Sequence, residues 1–89
     1  MDRRFLDSID AEEFERHKRP WKYIVDFLRR NKDRAFTAEH IANKIGIHVS
    51  EVRSAFLAHD LAEVLDRTYR SPIDHATVEG ITYYKYKGD

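Results

Sequence analysis

The sequence contains no cysteine, only two prolines and three glycines, and no apolar run of the length that crosses a bilayer. The absence of cysteine excludes disulfides and thiolate-bound zinc. A membrane helix needs about 20 consecutive apolar residues, and no charged segment followed by an apolar one stands at the start as a leader would. We therefore expect a cytoplasmic protein that does not enter a membrane.

The sequence also lacks an excess of charge of either sign. Its 16 basic and 16 acidic residues cancel, so the overall basicity that marks many nucleic-acid-binding proteins is absent. No glycine-rich phosphate loop or nucleophile motif is present. The histidines His40, His48 and His59 form no i, i+4 pair of metal ligands. We expect neither an enzyme nor a metal site, and we expect no cofactor.

What the sequence does contain is a series of helix signals in a chain of 89 residues, which is enough for one small core. Asp10 stands before "AEEFERHK" as an N-cap, and Pro20 suits the first position of a second helix. Thr37 caps a third helix, which we expect from Ala38 to Ile45. We divide the chain into an N-terminal helical extension, residues 1–19, and a domain of residues 20–89.

Gly46 interrupts an apolar pattern that is helical on both sides of it. A glycine inside one continuous helix would cost roughly 1 kcal/mol relative to alanine, so two helices that meet at a tight turn explain it better. The fourth helix then buries Val52, Ala55 and Phe56.

Beyond the fourth helix the residues change to β-branched and aromatic types. We expect "VLDRTY" and "GITYYKYK" to form a hairpin with "RSPIDHATVE" as a long tip. The segment "AFT", which ends at Thr37, is too short for more than an edge strand.

The segment from Ala38 to Leu57 resembles the helix-turn-helix of the winged helix-turn-helix family, the DNA-binding domains of small prokaryotic and archaeal transcription regulators. The residues that carry the resemblance are Ile41, Ala42, Ile45, Gly46, Ile47 and Val52. The resemblance implies an α+β fold with a three-helix core, a C-terminal β-hairpin wing and, in this chain, an extra N-terminal helix. It also implies sequence-specific binding of double-stranded DNA in transcriptional regulation.

In DNA-binding members of such folds the second helix of the motif enters the major groove. The residues of that helix which we expect to face DNA are His48, Val49, Ser50, Arg53 and Ser54. Residues 20–34 carry a net charge of +3, which suits contacts with the phosphate backbone. For those contacts we expect Lys22, Arg29, Arg30, Lys32, Arg34 and, on the wing, Arg70.

A second interpretation stays open, namely a winged-helix module that binds protein and not DNA. The zero net charge favours it, as do Asp74 and Glu79 on the expected wing. Tyr83, Tyr84 and Tyr86 lie on one strand, whose side chains alternate between its two faces. Some of these tyrosines therefore face the core and others face outward, where tyrosine suits an interface. A homodimer through the N-terminal segment is also expected, with apolar side chains available at Phe5, Leu6, Ile9 and Phe14. Any small-molecule ligand stays unknown.

Overall fold

A computed structural model describes residues 8–88 as four helices followed by an antiparallel hairpin. The elements are α1 (Ala11–Lys18), α2 (Pro20–Arg30), α3 (Ala38–Ile45), α4 (Val49–Leu65), β1 (Ile73–Val78) and β2 (Ile81–Tyr86). The α+β class is therefore as predicted. Within residues 8–88, no helix has the length and apolar character needed to cross a membrane.

The helix starts follow the signals in the sequence. The side chain of Asp10 accepts a hydrogen bond of 2.8 Å from the N–H of Glu13, and Thr37 Oγ1 accepts one of 3.1 Å from the N–H of His40. Each bond satisfies one of the free N–H groups at a helix start. Pro20 is the first residue of α2.

Gly46 ends α3 in the left-handed conformation, with φ of +78°. The N–H groups of Gly46 and Ile47 both donate to the carbonyl of Ala42, over 2.9 and 3.1 Å. This arrangement closes the helix and turns the chain towards α4 within three residues. The prediction of two helices joined by a tight turn is confirmed.

The core lies where α2, α3, α4 and the hairpin meet. Its fully buried side chains are Ile24, Leu28, Ile41 and Val52. Phe56 from α4 is buried beside them, and Trp21 of α2 meets the Phe56 ring edge-on with centroids 5.8 Å apart. Most of the stabilisation of such a domain comes from removing these apolar side chains from water.

The first predicted strand is wrong, because "VLDRTY" is not a strand, whereas β2 lies within the predicted "GITYYKYK". Val64 and Leu65 are the last residues of α4, and the residues expected to form the loose tip instead form β1. No glycine or proline stops α4 before Leu65, so the helix continues. The hairpin needs only the two-residue turn Glu79–Gly80, where φ is +52° and +81°, the positive values that a type I′ turn requires.

β2 lies between two neighbours. On one side it pairs with β1, and on the other Phe36 exchanges two backbone hydrogen bonds with Tyr84, of 2.9 and 2.7 Å. The predicted edge strand at "AFT" is therefore present as a single bridge. Tyr84 and Tyr86 face the core side of β2, and Tyr86 is buried, as the alternation predicted.

The N-terminal helix α1 contacts α2 and reaches α4 through His17, whose Nδ1 lies 3.2 Å from Glu51 Oε2. Ile9 and Phe14 are 47% and 53% exposed, so both remain available to a partner. The other two residues of the expected dimer contact, Phe5 and Leu6, lie outside the described residues. The homodimer therefore stays a prediction.

Candidate binding surface

The first two turns of α4 place most of the expected DNA-facing residues outward. His48, Ser50, Arg53 and Ser54 are exposed. Val49 is half-buried and packs against the core, so it offers less of its surface than the sequence predicted. The inward face of these turns is held by Val52 and Phe56, which are buried.

The side chain of Arg53 already has a partner within the protein. Its guanidinium forms a hydrogen-bonded ion pair with Glu39 on the first turn of α3. The two residues are 14 positions apart in sequence, so no i, i+4 spacing signals the pair. Only the crossing of α3 and α4 brings a carboxylate to this arginine.

The five cations expected on and after α2 are all exposed, and three of them line two separate depressions. Lys22 and Arg29 line a depression beside Pro72, whereas Arg30 lines another with Arg16 and Lys44. Neither depression includes a residue of the first two turns of α4. Lys22, Arg29 and Arg30 therefore share no depression with the expected DNA-reading residues of those turns.

Their ion pairs differ as well. Arg29 and Arg30 both pair with Asp26, at 2.5 and 2.8 Å. In the described part of the chain, the side chains of Lys22, Lys32 and Arg34 form no ion pair. Of the five, these three are therefore the cations most accessible to an anion.

Arg70 does not lie on the hairpin, contrary to the prediction. It belongs to the connection of residues 66–72 between α4 and β1, and its Nη1 donates to the carbonyls of Arg67 and Tyr69 at 2.7 and 2.9 Å. The misplacement follows from the longer α4, which shifts the hairpin towards the C-terminus. Arg70 is consequently removed from the hairpin tip at Glu79–Gly80.

The C-terminal half of α4 exposes an apolar row, which we call the α4 stripe. Its members are Leu57, Leu61, Val64 and Leu65, with 70, 55, 76 and 76% of their surfaces exposed. Their spacing of i, i+4, i+7 and i+8 places them on one helix face. Sequence reasoning missed the stripe because it assigned Val64 and Leu65 to a strand.

A groove of about 510 Å³ runs between α4 and β2, and we call it the edge groove. Phe56 and Tyr84 lie stacked at its base with ring centroids 3.8 Å apart. Leu57 and Ile81 add exposed apolar walls. The remaining lining residues are Ala38, Glu39, Arg53, Asp60, Gly80 and Thr82.

The charge around the edge groove is negative. Asp60 has no ion pair or side-chain hydrogen bond within residues 8–88, while Glu39 is paired with Arg53. Burial, with a further contribution from the Asp60 carboxylate, raises the pKa of Tyr84 above its ordinary value, so this phenol stays neutral. α4 contains one arginine and three carboxylates, and the hairpin contains one lysine and two carboxylates.

Also on α4, His59 stacks on Trp21 with centroids 3.6 Å apart. Its Nδ1 lies 2.5 Å from the hydroxyl of Tyr69. Burial lowers the pKa of His59 below its ordinary value, although the nearby Asp60 carboxylate opposes that shift. The imidazole is therefore a structural group that ties α4 to the connection before β1.

Residues 8–88 contain no cluster of three or more histidine, aspartate or glutamate side chains that could hold a metal ion. Comparison of the chain with protein-family models, with curated proteins and with solved structures returns no match.

Proposed function

We propose that this protein is a winged-helix domain that binds another protein through α4 and the adjoining edge of the hairpin. The observation that carries the proposal is the α4 stripe, four large apolar side chains left uncovered along one helix face.

The winged-helix part of the proposal rests on the order and joining of the elements. α3, the left-handed Gly46 and α4 have the form of a helix-turn-helix. Phe36, β2 and β1 lie side by side, so a single bridge before α3 and the hairpin after α4 are joined through β2. In this interpretation the hairpin is the wing.

The stripe is costly for an isolated protein in water and useful at an interface. Burying one leucine or valine side chain fully contributes about 1.5–3 kcal/mol. Contiguous exposed apolar patches are uncommon on monomeric proteins and mark interaction sites. A partner that covered Leu57, Leu61 and Val64 together would gain much of its affinity from those three contacts.

The charge pattern supports a protein partner over DNA at this surface. A DNA-binding protein gains most of its affinity from cations that replace counterions along the phosphates. Here α4 carries a net negative charge, and its single arginine is already paired with Glu39. Asp60 on α4 and Glu79 at the hairpin turn are carboxylates, and each would repel any phosphate that came near it.

Sequence-specific binding of double-stranded DNA is the second candidate function. It is favoured by the exposed His48, Ser50 and Ser54 on the first turns of α4, which suit contacts with bases or phosphates. Lys32 and Arg34, unpaired and close before α3, suit the backbone. For Arg53 to read a guanine, its bond to Glu39 would have to be exchanged for one to the base.

The proposal is tested with a displayed library of random peptides about ten residues long, selected against the full chain. Enriched peptides are then titrated against wild type, Leu57→Ser and Val78→Ser. Leu57 and Val78 are both exposed apolar residues, but only Leu57 belongs to the α4 stripe. Binding that falls at least about tenfold with Leu57→Ser, and little with Val78→Ser, supports the proposal.

A parallel selection of random duplexes tests the DNA candidate. A largely apolar protein interface changes little with salt, whereas phosphate contacts make affinity fall steeply. If no peptide is enriched, and a duplex is bound more tightly than about 10⁻⁴ M with a steep salt dependence, DNA binding replaces the proposal. Arg53→Ala should then relax base discrimination, while Lys32→Ala should weaken all duplexes alike.

A further inference from the structure

We infer that the edge groove receives an extended segment of the partner, which pairs as an additional strand with the backbone of Thr82. The segment carries an apolar side chain opposite Thr82 and a lysine or arginine that reaches Asp60. This inference rests on the proposed function and specifies the chemistry of the partner.

The first observation is an open backbone edge. Tyr84 uses both its N–H and its C=O for Phe36, so these groups point away from β1. Along a strand the direction of these groups repeats every second residue. The N–H and C=O of Thr82 therefore point to the same side, where α3 has already begun at Ala38 and no strand continues beside β2.

The register of the hairpin also indicates that the N–H and C=O of Thr82 point away from β1. Val78 and Ile81 flank the two-residue turn, and Thr77 lies opposite Thr82 in the next pair. In such a hairpin the pair beside the turn is hydrogen-bonded and the following pair is not. The close approach of the two threonine hydroxyls, 3.0 Å apart, suits a pair of the second kind. The backbone of Thr82 is thus left for a partner on the outer side.

The second observation is what lies beside that edge. Side chains on the same face of β2 as Thr82 include Tyr84, whose ring lies on Phe56. A residue opposite Thr82 in an added strand would project on this same face. Its side chain would therefore enter the edge groove above the Phe56–Tyr84 stack, against Leu57. An apolar side chain would add affinity there, because it would be removed from water.

The third observation selects the charge of the segment. Of the two carboxylates in the edge groove, Glu39 is held by Arg53, and Asp60 has no ion pair in the described chain. An added strand rises about 3.3 Å per residue, so the next side chain on the same face lies roughly 6.6 Å along. A lysine or arginine at that position has the length to reach Asp60. A segment with an apolar residue and a basic residue two positions apart is the one that fits.

Strand addition supplies affinity through main-chain hydrogen bonds and specificity through the side chains that alternate into pockets. Both parts are present here at one place, because the open N–H and C=O of Thr82 lie beside the edge groove. The contact is short, so the α4 stripe beyond the groove would supply the rest of the interface in a whole partner.

The test uses the peptides enriched on the full chain and follows the backbone amides of the protein by hydrogen exchange. We expect saturating peptide to slow exchange of the Thr82 amide, while Tyr84, already bonded to Phe36, changes little. A peptide N-methylated at the residue opposite Thr82 should bind about tenfold more weakly, since it loses a backbone hydrogen bond. This readout needs no change in the protein and so does not depend on a variant that folds.

The charge requirement is tested with Asp60→Asn. This variant should weaken peptides that contain lysine or arginine by about two- to fivefold. The control Asp33→Asn removes the same charge from the turn after α2, outside the groove, and should leave the affinity unchanged. Equal effects of the two variants would overturn the assignment of Asp60.

The outcomes separate this inference from the proposed function. If peptides bind and require Leu57, but Thr82 exchange is unchanged and N-methylation has no effect, strand addition is wrong and the proposed function stands. If no peptide binds, both fail. If Thr82 is protected without peptide in a sedimenting dimer, the occupant is a second copy of the chain and the inference of a separate partner is overturned.

Discussion

Phe56 and Tyr84 lie parallel, with ring centroids 3.8 Å apart and planes inclined by 3°. The stack joins the middle of α4 to β2. Because each ring also borders the edge groove, the same contact that stabilises the fold forms the floor of the candidate site.

The neighbouring residues Phe56 and Leu57 should respond very differently to truncation. Phe56 is 5% exposed and Leu57 is 70% exposed. Phe56→Ala should lower the free energy of unfolding by about 3–5 kcal/mol, because it leaves a cavity beneath Tyr84. Leu57→Ala should change it by no more than about 0.5 kcal/mol. Urea denaturation of both variants measures the difference, and similar losses would mean that Leu57 is buried in solution.

Gly46→Val should destabilise the protein because a β-branched residue is strongly disfavoured at φ of +78°. The nearest atom to an added Cβ is Arg16 Nε at 3.7 Å, an ordinary contact, so the cost is in the backbone and amounts to about 1–3 kcal/mol. A loss of about 4–8 °C in melting temperature per kcal/mol is expected. Gly46→Asn is the control, since asparagine tolerates this conformation and should lose less. Equal losses for valine and asparagine would argue against a left-handed turn.

Stability should fall on acidification through His59. The pKa of His59 in the folded protein is below its ordinary value of 6.5, so the unfolded chain takes up a proton first as the pH falls. The contribution of this residue is complete above about pH 6.5 and is lost as the pH falls towards the folded-state pKa. Urea denaturation of wild type and His59→Leu across this range isolates the effect. Parallel pH profiles for the two proteins would contradict it.

Glu79→Asn should stabilise the hairpin. Glu79 is held at φ of +52°, which costs an ordinary residue roughly 1–2 kcal/mol and asparagine less. We expect a gain of up to about 1 kcal/mol in the free energy of unfolding. Glu79→Gln keeps the side-chain length, removes the charge and serves as the control. If the glutamine variant gains as much, the effect is electrostatic and the turn is not strained.

Self-association distinguishes two exposed surfaces. If the expected homodimer forms through the N-terminal segment, Phe14→Ser should produce a monomer in sedimentation, and Leu57→Ser should leave the dimer intact. The reverse pattern would place a second copy on the α4 stripe. A full-length chain that sediments as a monomer removes the dimer altogether.

The helical part of the fold was predictable because its signals are local. Asp10, Thr37 and Gly46 each act within four residues, and the structure places them at the helix ends where their chemistry is needed. The prediction of the first strand failed because no local signal marks the end of α4. "AEVL" suits a helix as well as a strand, and only the tight turn at Glu79–Gly80 fixes where the hairpin begins.

The candidate site was less predictable than the fold because contacts between elements determine it. The outward direction of Ser50, Arg53 and Ser54 followed from helix spacing. The pairing of Arg53 with Glu39 did not, since it depends on how α3 crosses α4. The open edge at Thr82 required knowledge of both neighbours of β2, which are distant from each other in the sequence.

The bridge between Phe36 and Tyr84 also sets an order of events during synthesis. Its partners are separated by α3, α4 and β1, so the helices can form early from local contacts while the sheet waits for β2 to leave the ribosome. Pairings between distant segments slow folding because the loop between them must first be closed. Until then the face of Phe56 that Tyr84 covers stays open to solvent. The nascent chain therefore passes through an interval in which Phe56 is exposed and the edge groove is incomplete. During this interval aggregation competes with folding.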